Sequence, residues 1–365
     1  MTSQKTGQTP SRHTVLLVTG SMRSGTSSLA GSLKLLGWHV PQPEVPASER
    51  NAKGHFEPRW VIEFHKRLMR GALVRPSDGS PKALARVTAY AAEHRLEREL
   101  AEWLGTQDEP QVVVKDPHAA RLLPTWRNGA TAAGRDLRTL TALRHPAEVV
   151  GSQDITWGQG RRSDAERRVK ETANTAAWLN VALVTEATSR GSSRAFLKYH
   201  DLLDDWRTAL GRVSSQLDLG LPVADERGVD GFLDPGMRRS QLTWDDIVLP
   251  HWLRDLAEDA WVQLGLLVED PHDAAASTRM DQLRAAYDRH YAEAVALSLD
   301  EARYRERRGT AAGAAKLRGR LQVERDRRRR AESAQEPSSL LQSTKRALGQ
   351  IRARSRSGNR SETTE

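Results

Sequence analysis

The chain has no cysteine among its 365 residues, which excludes disulfides and thiolate metal sites. Apolar runs are short, and none approaches the ~20 residues that cross a bilayer. The N-terminal stretch Met1 to His13 is polar and lacks the apolar segment of a secretory signal. No His, Asp or Glu cluster has metal-ligand spacing, so no metal is expected. Internal repeats are absent. These absences lead to the expectation of a cytoplasmic protein with one large domain, residues 13–300. A disordered N-terminus, residues 1–12, precedes it, and a tail, residues 301–365, follows.

An acidic or basic body is also missing. The net charge is +9, but residues 301–365 alone hold 18 Lys and Arg against 8 Asp and Glu. That leaves 38 basic and 39 acidic residues for the rest of the chain. The body is electrically balanced, so its charge gives no reason to expect nucleic acid as a partner.

What is present starts with Thr14 to Gly37, TVLLVTGSMRSGTSSLAGSLKLLG. Val15 to Thr19 is a β-branched, apolar run that predicts a buried strand. Gly20 to Gly25 forms a turn. Leu29, Leu33 and Leu36 then recur at helical spacing, which predicts a helix from Thr26. Strand, Gly-bounded loop and helix together make an anion cradle of backbone N–H groups at a helix N-terminus. The spacing of Gly20 and Gly25 is that of the nucleotide triphosphatase loop, G-x-x-x-x-G-K-[ST]. Here Thr26 stands in place of the Lys, and Arg23 is the loop's one cation. Without that Lys, γ-phosphoryl transfer lacks its main charge clamp.

Further strands are predicted over Gln111–Lys115, Leu137–Leu143 and Ala195–Tyr199, each followed by helical periodicity. One long helix is predicted over Ala83–Leu104. Alternating strands and helices argue for an α/β fold, a P-loop-like parallel sheet flanked by helices. Ligands sit beyond the carboxyl ends of such strands. Arg23, Lys115-Asp116 and Arg144 all fall there. Arg144-His145-Pro146 continues to Ser152, eight residues after Arg144. That Arg and Ser can converge on one anion across the start of a helix.

The two motifs resemble those of sulfotransferases that use 3′-phosphoadenosine 5′-phosphosulfate (PAPS). Arg23-Ser24-Gly25-Thr26-Ser27 is similar to the family's 5′-phosphosulfate loop, and Arg144 to Ser152 to its 3′-phosphate motif, R-x-P-x-x-x-x-x-S. Lys53-Gly54-His55-Phe56-Glu57 resembles K-G-Y-F-E of a bacterial, carbohydrate-acting branch. Val114 to His118 resembles V-K-D-P-R, with His118 in place of Arg. Tyr199 to Trp206 resembles Y-x-D-L-L-x-D-W, and Gly231 to Arg239 an F-L-D-P-x-L-R segment. The resemblance spans roughly residues 13–240.

The resemblance implies transfer of a sulfuryl group from PAPS to a hydroxyl on a sugar, glycolipid or secondary metabolite, leaving adenosine 3′,5′-bisphosphate, without metal. Arg23, Ser24, Gly25, Thr26, Ser27 and Ser28 would hold the 5′-phosphosulfate. Arg144, Ser152 and Arg238, with Arg239 beside it, would hold the 3′-phosphate. Arg23 would act as an electrostatic clamp, because guanidinium does not usefully release a proton. Glu57 is the first candidate for the base that takes the hydroxyl's proton, Glu44 is its rival and His55 comes third. Lys115 is a second cation or else a partner of Asp116. His55, His118 and Lys115 would face the acceptor. Trp157 and Trp178 read as core residues or as cleft lining.

The tail divides in two. Glu301 to Arg330 has 12 basic and 4 acidic residues and reads as a solvated helix or as disorder. Leu340, Thr344, Leu348 and Ile351 share one helical stripe flanked by Lys345, Arg346 and Arg352. Such a helix can lie on an anionic membrane, so peripheral contact with the inner membrane surface is a second expectation for location. Two other functions fit the sequence: a P-loop kinase or nucleotide triphosphatase, and an inactive nucleotide-fold scaffold acting through its tail. The oligomeric state is not readable.

Overall fold

The structure is a computed structural model that describes residues 13–48, 51–157, 163–221, 226–234, 236, 241–307 and 311–333. It divides into two units, residues 1–292 and 293–365. The first contains a sheet of four described strands: β1 Thr14–Gly20, β2 Gln111–Lys115, β3 Asp136–Leu143 and β4 Arg194–Lys198. Their order is β2-β1-β3-β4, and every adjacent pair is parallel. The α/β class with a parallel sheet flanked by helices is thus observed.

A parallel sheet covered on both faces needs strands that are apolar on both sides. β1 meets that condition. Val15 and Leu17 pack on one face with Leu68, Leu100 and Trp126. Leu16 and Val18 pack on the other with Leu29, Leu33, Leu202 and Val213. A third cluster joins Leu143 and Phe196 to Trp178, Leu253, Leu264 and Met280.

The helices that position the site are α1 Thr26–Leu35, α2 Arg59–Gly71, α3 Ala83–Glu93, α4 Leu96–Gly105, α5 Leu123–Ala132, α6 Pro146–Trp157, α7 Asp164–Ser189, α8 Tyr199–Asp204, α9 Trp206–Leu217, α10 Glu226–Phe232 and α11 His251–Glu269. α12 spans Ala274–Arg307 and α13 spans Ala311–Ser333. Two predicted boundaries move. The single helix expected over Ala83–Leu104 is two, because Arg95 turns left-handed at φ 52° and breaks the hydrogen-bond ladder. The fourth strand stops at Lys198, and Tyr199 opens α8.

The strand order creates a switch point. From β1 the chain leaves toward β2, while β3 lies on the opposite side of β1. The loops after β1 and β3 therefore part at the carboxyl edge and leave a crevice between them. No described helix is long and apolar enough to cross a membrane. In the second unit, the side chains of α13 from Arg318 to Arg330 are exposed.

Candidate functional site

The loop after β1 is fixed by glycine at both ends. At Gly20, a Cβ would lie 2.5 Å from the Ala142 carbonyl oxygen, because β1 and β3 run side by side here. At Gly25, φ is +86° and a Cβ would lie 2.1 Å from the Tyr199 ring. Arg23 between them is also left-handed, at φ 72°. α1 then begins with no side-chain cap and no acidic residue in its first turn. A helix N-terminus without a capping side chain carries partial positive charge and N–H groups suited to an anion. Ser24 N–H donates to Ser21 O at 3.1 Å, so of the expected binding residues Gly25 through Ser28 are the ones whose N–H groups remain for an anion. Ser27 Oγ accepts from Asn51 Nδ2 at 3.2 Å, which ties the connector after α1 to the cradle.

Arg144 and Ser152 come to this loop from β3 and α6. Arg23 Nε donates to Ser152 Oγ at 3.0 Å, and Arg144 Nη1 donates to Arg23 O at 3.3 Å. Arg144 also lies over the Tyr199 ring, 5.2 Å from its centroid. Its Nε donates to Glu148 Oε2 at 2.8 Å, and His200 Nε2 is 3.0 Å from the same oxygen. The arginine is thereby aimed by a buried carboxylate and an aromatic ring. Glu148 lies one helical turn from Arg144, whereas His200 and the Tyr199 ring come from a segment more than fifty residues on, which the sequence could not place here.

The second group gathers beside β2. Lys115, 2% exposed, donates its Nζ to Glu57 Oε1 at 2.5 Å and to His55 O at 3.0 Å. The Lys115–Asp116 pairing does not form. Asp116 Oδ2 instead lies 2.6 Å from His65 Nδ1, and its Oδ1 accepts His118 N–H at 3.0 Å. Trp126 Nε1–H donates to His65 Nε2 at 2.8 Å, so the imidazole proton sits on Nδ1, toward Asp116. Burial pushes the Asp116 carboxyl up, but the neighbouring His118 and His65 outweigh it and hold the group well below the usual carboxylate range. His65 was not among the expected site residues; a histidine on an amphipathic helix gives no signal of such a partner.

Burial pushes both His55 and His118 below the ordinary imidazole value. Glu57 opposes the shift at His55, while Lys115 and Arg23 add to it. At His118 Asp116 opposes, while His65 and Arg121 add. Arg23, Lys115, Glu57, His55 and His118 therefore form one electrostatic neighbourhood. Glu44 is elsewhere. It pairs with Lys34 in the last turn of α1 and accepts from Gln42 Nε2 at 2.7 Å. Lys34 lies eight residues beyond Thr26, roughly 12 Å along the helix from the cradle.

Arg238 and Arg239 lie outside the described residues, as do the side chain of Trp157 and the stripe from Leu340 to Ile351. Trp178 is buried in the core. Among the described residues, no group of three or more His, Cys, Asp or Glu could hold a metal ion.

The chain is similar in structure to two sulfotransferase domains. One is from the Synechococcus PCC 7002 olefin synthase: 15% identity, 73% of this chain, 98% of that one, TM-score 0.39. The other is from the curacin biosynthetic pathway: 15% identity, 69% of this chain, 97% of that one, TM-score 0.35. No family model and no curated protein matches the sequence. Likeness this distant settles neither activity nor substrate, which have to be argued from the side chains.

The loop fits an anionic group on its own chemistry. Two glycines leave the backbone no side chain to clear, an uncapped helix supplies N–H groups, and Arg23 and Arg144 supply charge at two adjoining points. A carboxylate, Glu57, stands within electrostatic reach of both histidines of the second group. Such a site can hold a doubly anionic ligand and accept a proton beside it.

Proposed function

We propose that the protein is a sulfotransferase that moves a sulfuryl group from PAPS to a hydroxyl of a small molecule or glycan. The observation that carries the reading is the junction of the two anion motifs. Arg23 reaches Ser152 at 3.0 Å, and Arg144 reaches the backbone of Arg23 at 3.3 Å, although the motifs are more than a hundred residues apart. One nucleotide with phosphates at its 3′ and 5′ positions would satisfy both together.

When bound, the donor supplies an activated sulfuryl group whose leaving oxygen gains negative charge. The N–H groups of Gly25 to Ser28 and the Arg23 guanidinium would stabilise that charge, being fixed before the reaction begins. Arg144 and Ser152 would hold the 3′-phosphate and so set the register of the nucleotide. Lys115 compensates for the loop's missing lysine from the neighbouring strand and also orients Glu57. Glu57 would take the acceptor's proton at Oε1 or Oε2. Calorimetry with adenosine 3′,5′-bisphosphate and with ATP, both without metal, tests the reading. Tight binding of the bisphosphate and much weaker binding of ATP are expected. Equal affinity, or dependence on magnesium, would favour a kinase or nucleotide triphosphatase instead.

A further inference from the structure

Phe56 lies between the two residues that meet Lys115. Its backbone is left-handed, at φ 54°. A bulky residue rarely adopts that conformation, because its Cβ crowds the following carbonyl oxygen. It persists only where the surroundings hold it. The His55 carbonyl and the Glu57 carboxylate, one residue to either side, both accept from the Lys115 ammonium. The turn at Phe56 brings these two acceptors to one point and sends the ring elsewhere. That ring meets Phe232 of α10 edge to face, with centroids 5.6 Å apart and planes at 85°. Lys53 closes the same contact: its Nζ donates to Phe232 O and lies 5.5 Å from the centroid of that ring. Both rings rest on α1 where it is bare. A Cβ on Gly31 would lie 2.4 Å from Phe232 Cζ and 2.8 Å from Phe56 Cε2.

The Lys115–Glu57 pair does not by itself account for this arrangement. A carboxylate on a connector can reach an ammonium through several backbone conformations, and the relaxed ones cost less. The ring contacts tip the balance toward the left-handed one, since an aromatic pair at this geometry is stabilised beyond its buried area. Three segments meet in the clasp: α1, the connector after it and, far along the chain, α10. We infer that Phe56 is a positioning residue for Glu57, and that Phe232 and the bare surface at Gly31 hold it in place. The clasp fixes the Glu57 carboxylate and the Lys115 ammonium against each other. What Glu57 then does rests on the sulfotransferase reading, whereas the clasp stands on its own contacts.

Amine labelling tests this without an acceptor. The full-length protein is acetylated briefly with acetic anhydride under native conditions, and each lysine's extent of reaction is read by mass spectrometry. Lys115 is 2% exposed and should react slowly. Lys198, half-buried on β4, reports any general loosening. Phe56→Ala and Phe232→Ala each remove one ring. Either should raise Lys115 labelling relative to Lys198 by about five- to thirtyfold, the shift expected once nothing offsets the cost of one left-handed residue. Phe56→Gly removes the ring and that cost together, so it should release Lys115 less than Phe56→Ala does. A ring that merely packs would give the opposite order, because glycine loosens a connector further. An unchanged ratio in Phe56→Ala or Phe232→Ala overturns the proposal, and so does equal or greater labelling in Phe56→Gly. Calorimetry should find the affinity for adenosine 3′,5′-bisphosphate unchanged in Phe56→Ala. A loss of about tenfold or more, the worth of one base stacked on an aromatic ring, would assign Phe56 to the nucleotide instead and overturn the proposal. Failure of the bisphosphate to bind the parent sinks the sulfotransferase reading, while the labelling ratios still decide whether Phe56 holds Glu57.

Discussion

Replacing Arg144 by Ala should do two separable things. The Arg144 and Glu148 side chains are only 5% and 6% exposed, so the substitution strands a buried carboxylate. Breaking a buried pair from one side costs about 3–5 kcal/mol. The low end is expected here, because His200 Nε2 stays 3.0 Å from Glu148 Oε2. The second effect is on the ligand: loss of a charged hydrogen bond should weaken adenosine 3′,5′-bisphosphate by about 1.5–3 kcal/mol, or ~10–150-fold. The double variant Arg144→Ala/Glu148→Gln removes both charges. It should recover most of the stability, with a coupling of about 0.5–3 kcal/mol, and none of the affinity. Glu148→Gln alone should bind the nucleotide at least as well as the parent, since it removes a competing anion. Urea unfolding at constant slope reads the first effect, and calorimetry reads the second. If the double variant regains nucleotide affinity, Arg144 serves only to neutralise Glu148 and the 3′-phosphate assignment fails.

Other expectations follow from single features. Gly25→Ala places a methyl group 2.1 Å from the Tyr199 ring at φ +86°, so it should lower both stability and nucleotide affinity. Adding Tyr199→Ala should relieve part of the loss, and strictly additive effects would argue against the clash. Glu57→Gln should lower turnover by ~10²–10⁴ with nucleotide affinity nearly intact, while Glu44→Gln, whose carboxylate pairs with Lys34, should be mild. A dead Glu44→Gln with an active Glu57→Gln would reverse the roles. His118 titrates below its unfolded value of 6.5, so the unfolded chain binds the proton first as pH falls. Stability should therefore drop as pH falls below about 6.5 toward the folded value. His118→Gln should flatten that limb of the stability profile, and an unchanged limb would rule His118 out as its source. Ending the chain after Arg307 should leave nucleotide binding unchanged and weaken co-sedimentation with anionic vesicles at low salt. Each basic residue near the surface is worth ~1 kcal/mol in that contact, and equal sedimentation of the two forms would reject it.

The sequence by itself determined the strands, the glycine-bounded loop and the places where charged groups leave the sheet. These are local properties: a short apolar run, a pair of glycines five residues apart, and a helical repeat of leucines each declare themselves within about twenty residues. The missing loop lysine was legible for the same reason. Where Arg95 breaks α3 from α4 was not, because a left-handed residue without glycine leaves no mark in composition. Only the tertiary structure gave Glu57 and Glu44 different cationic partners. Both lie in the same connector, and the difference is that one meets Lys115 from β2 while the other meets Lys34 from the end of α1. It likewise turned Asp116 from Lys115 toward His65 and aimed Arg144 through Glu148. The physical reason is common to all of these. A charged side chain's role depends on which opposite charge reaches it and how much water is excluded, and both are set by segments far apart in the chain.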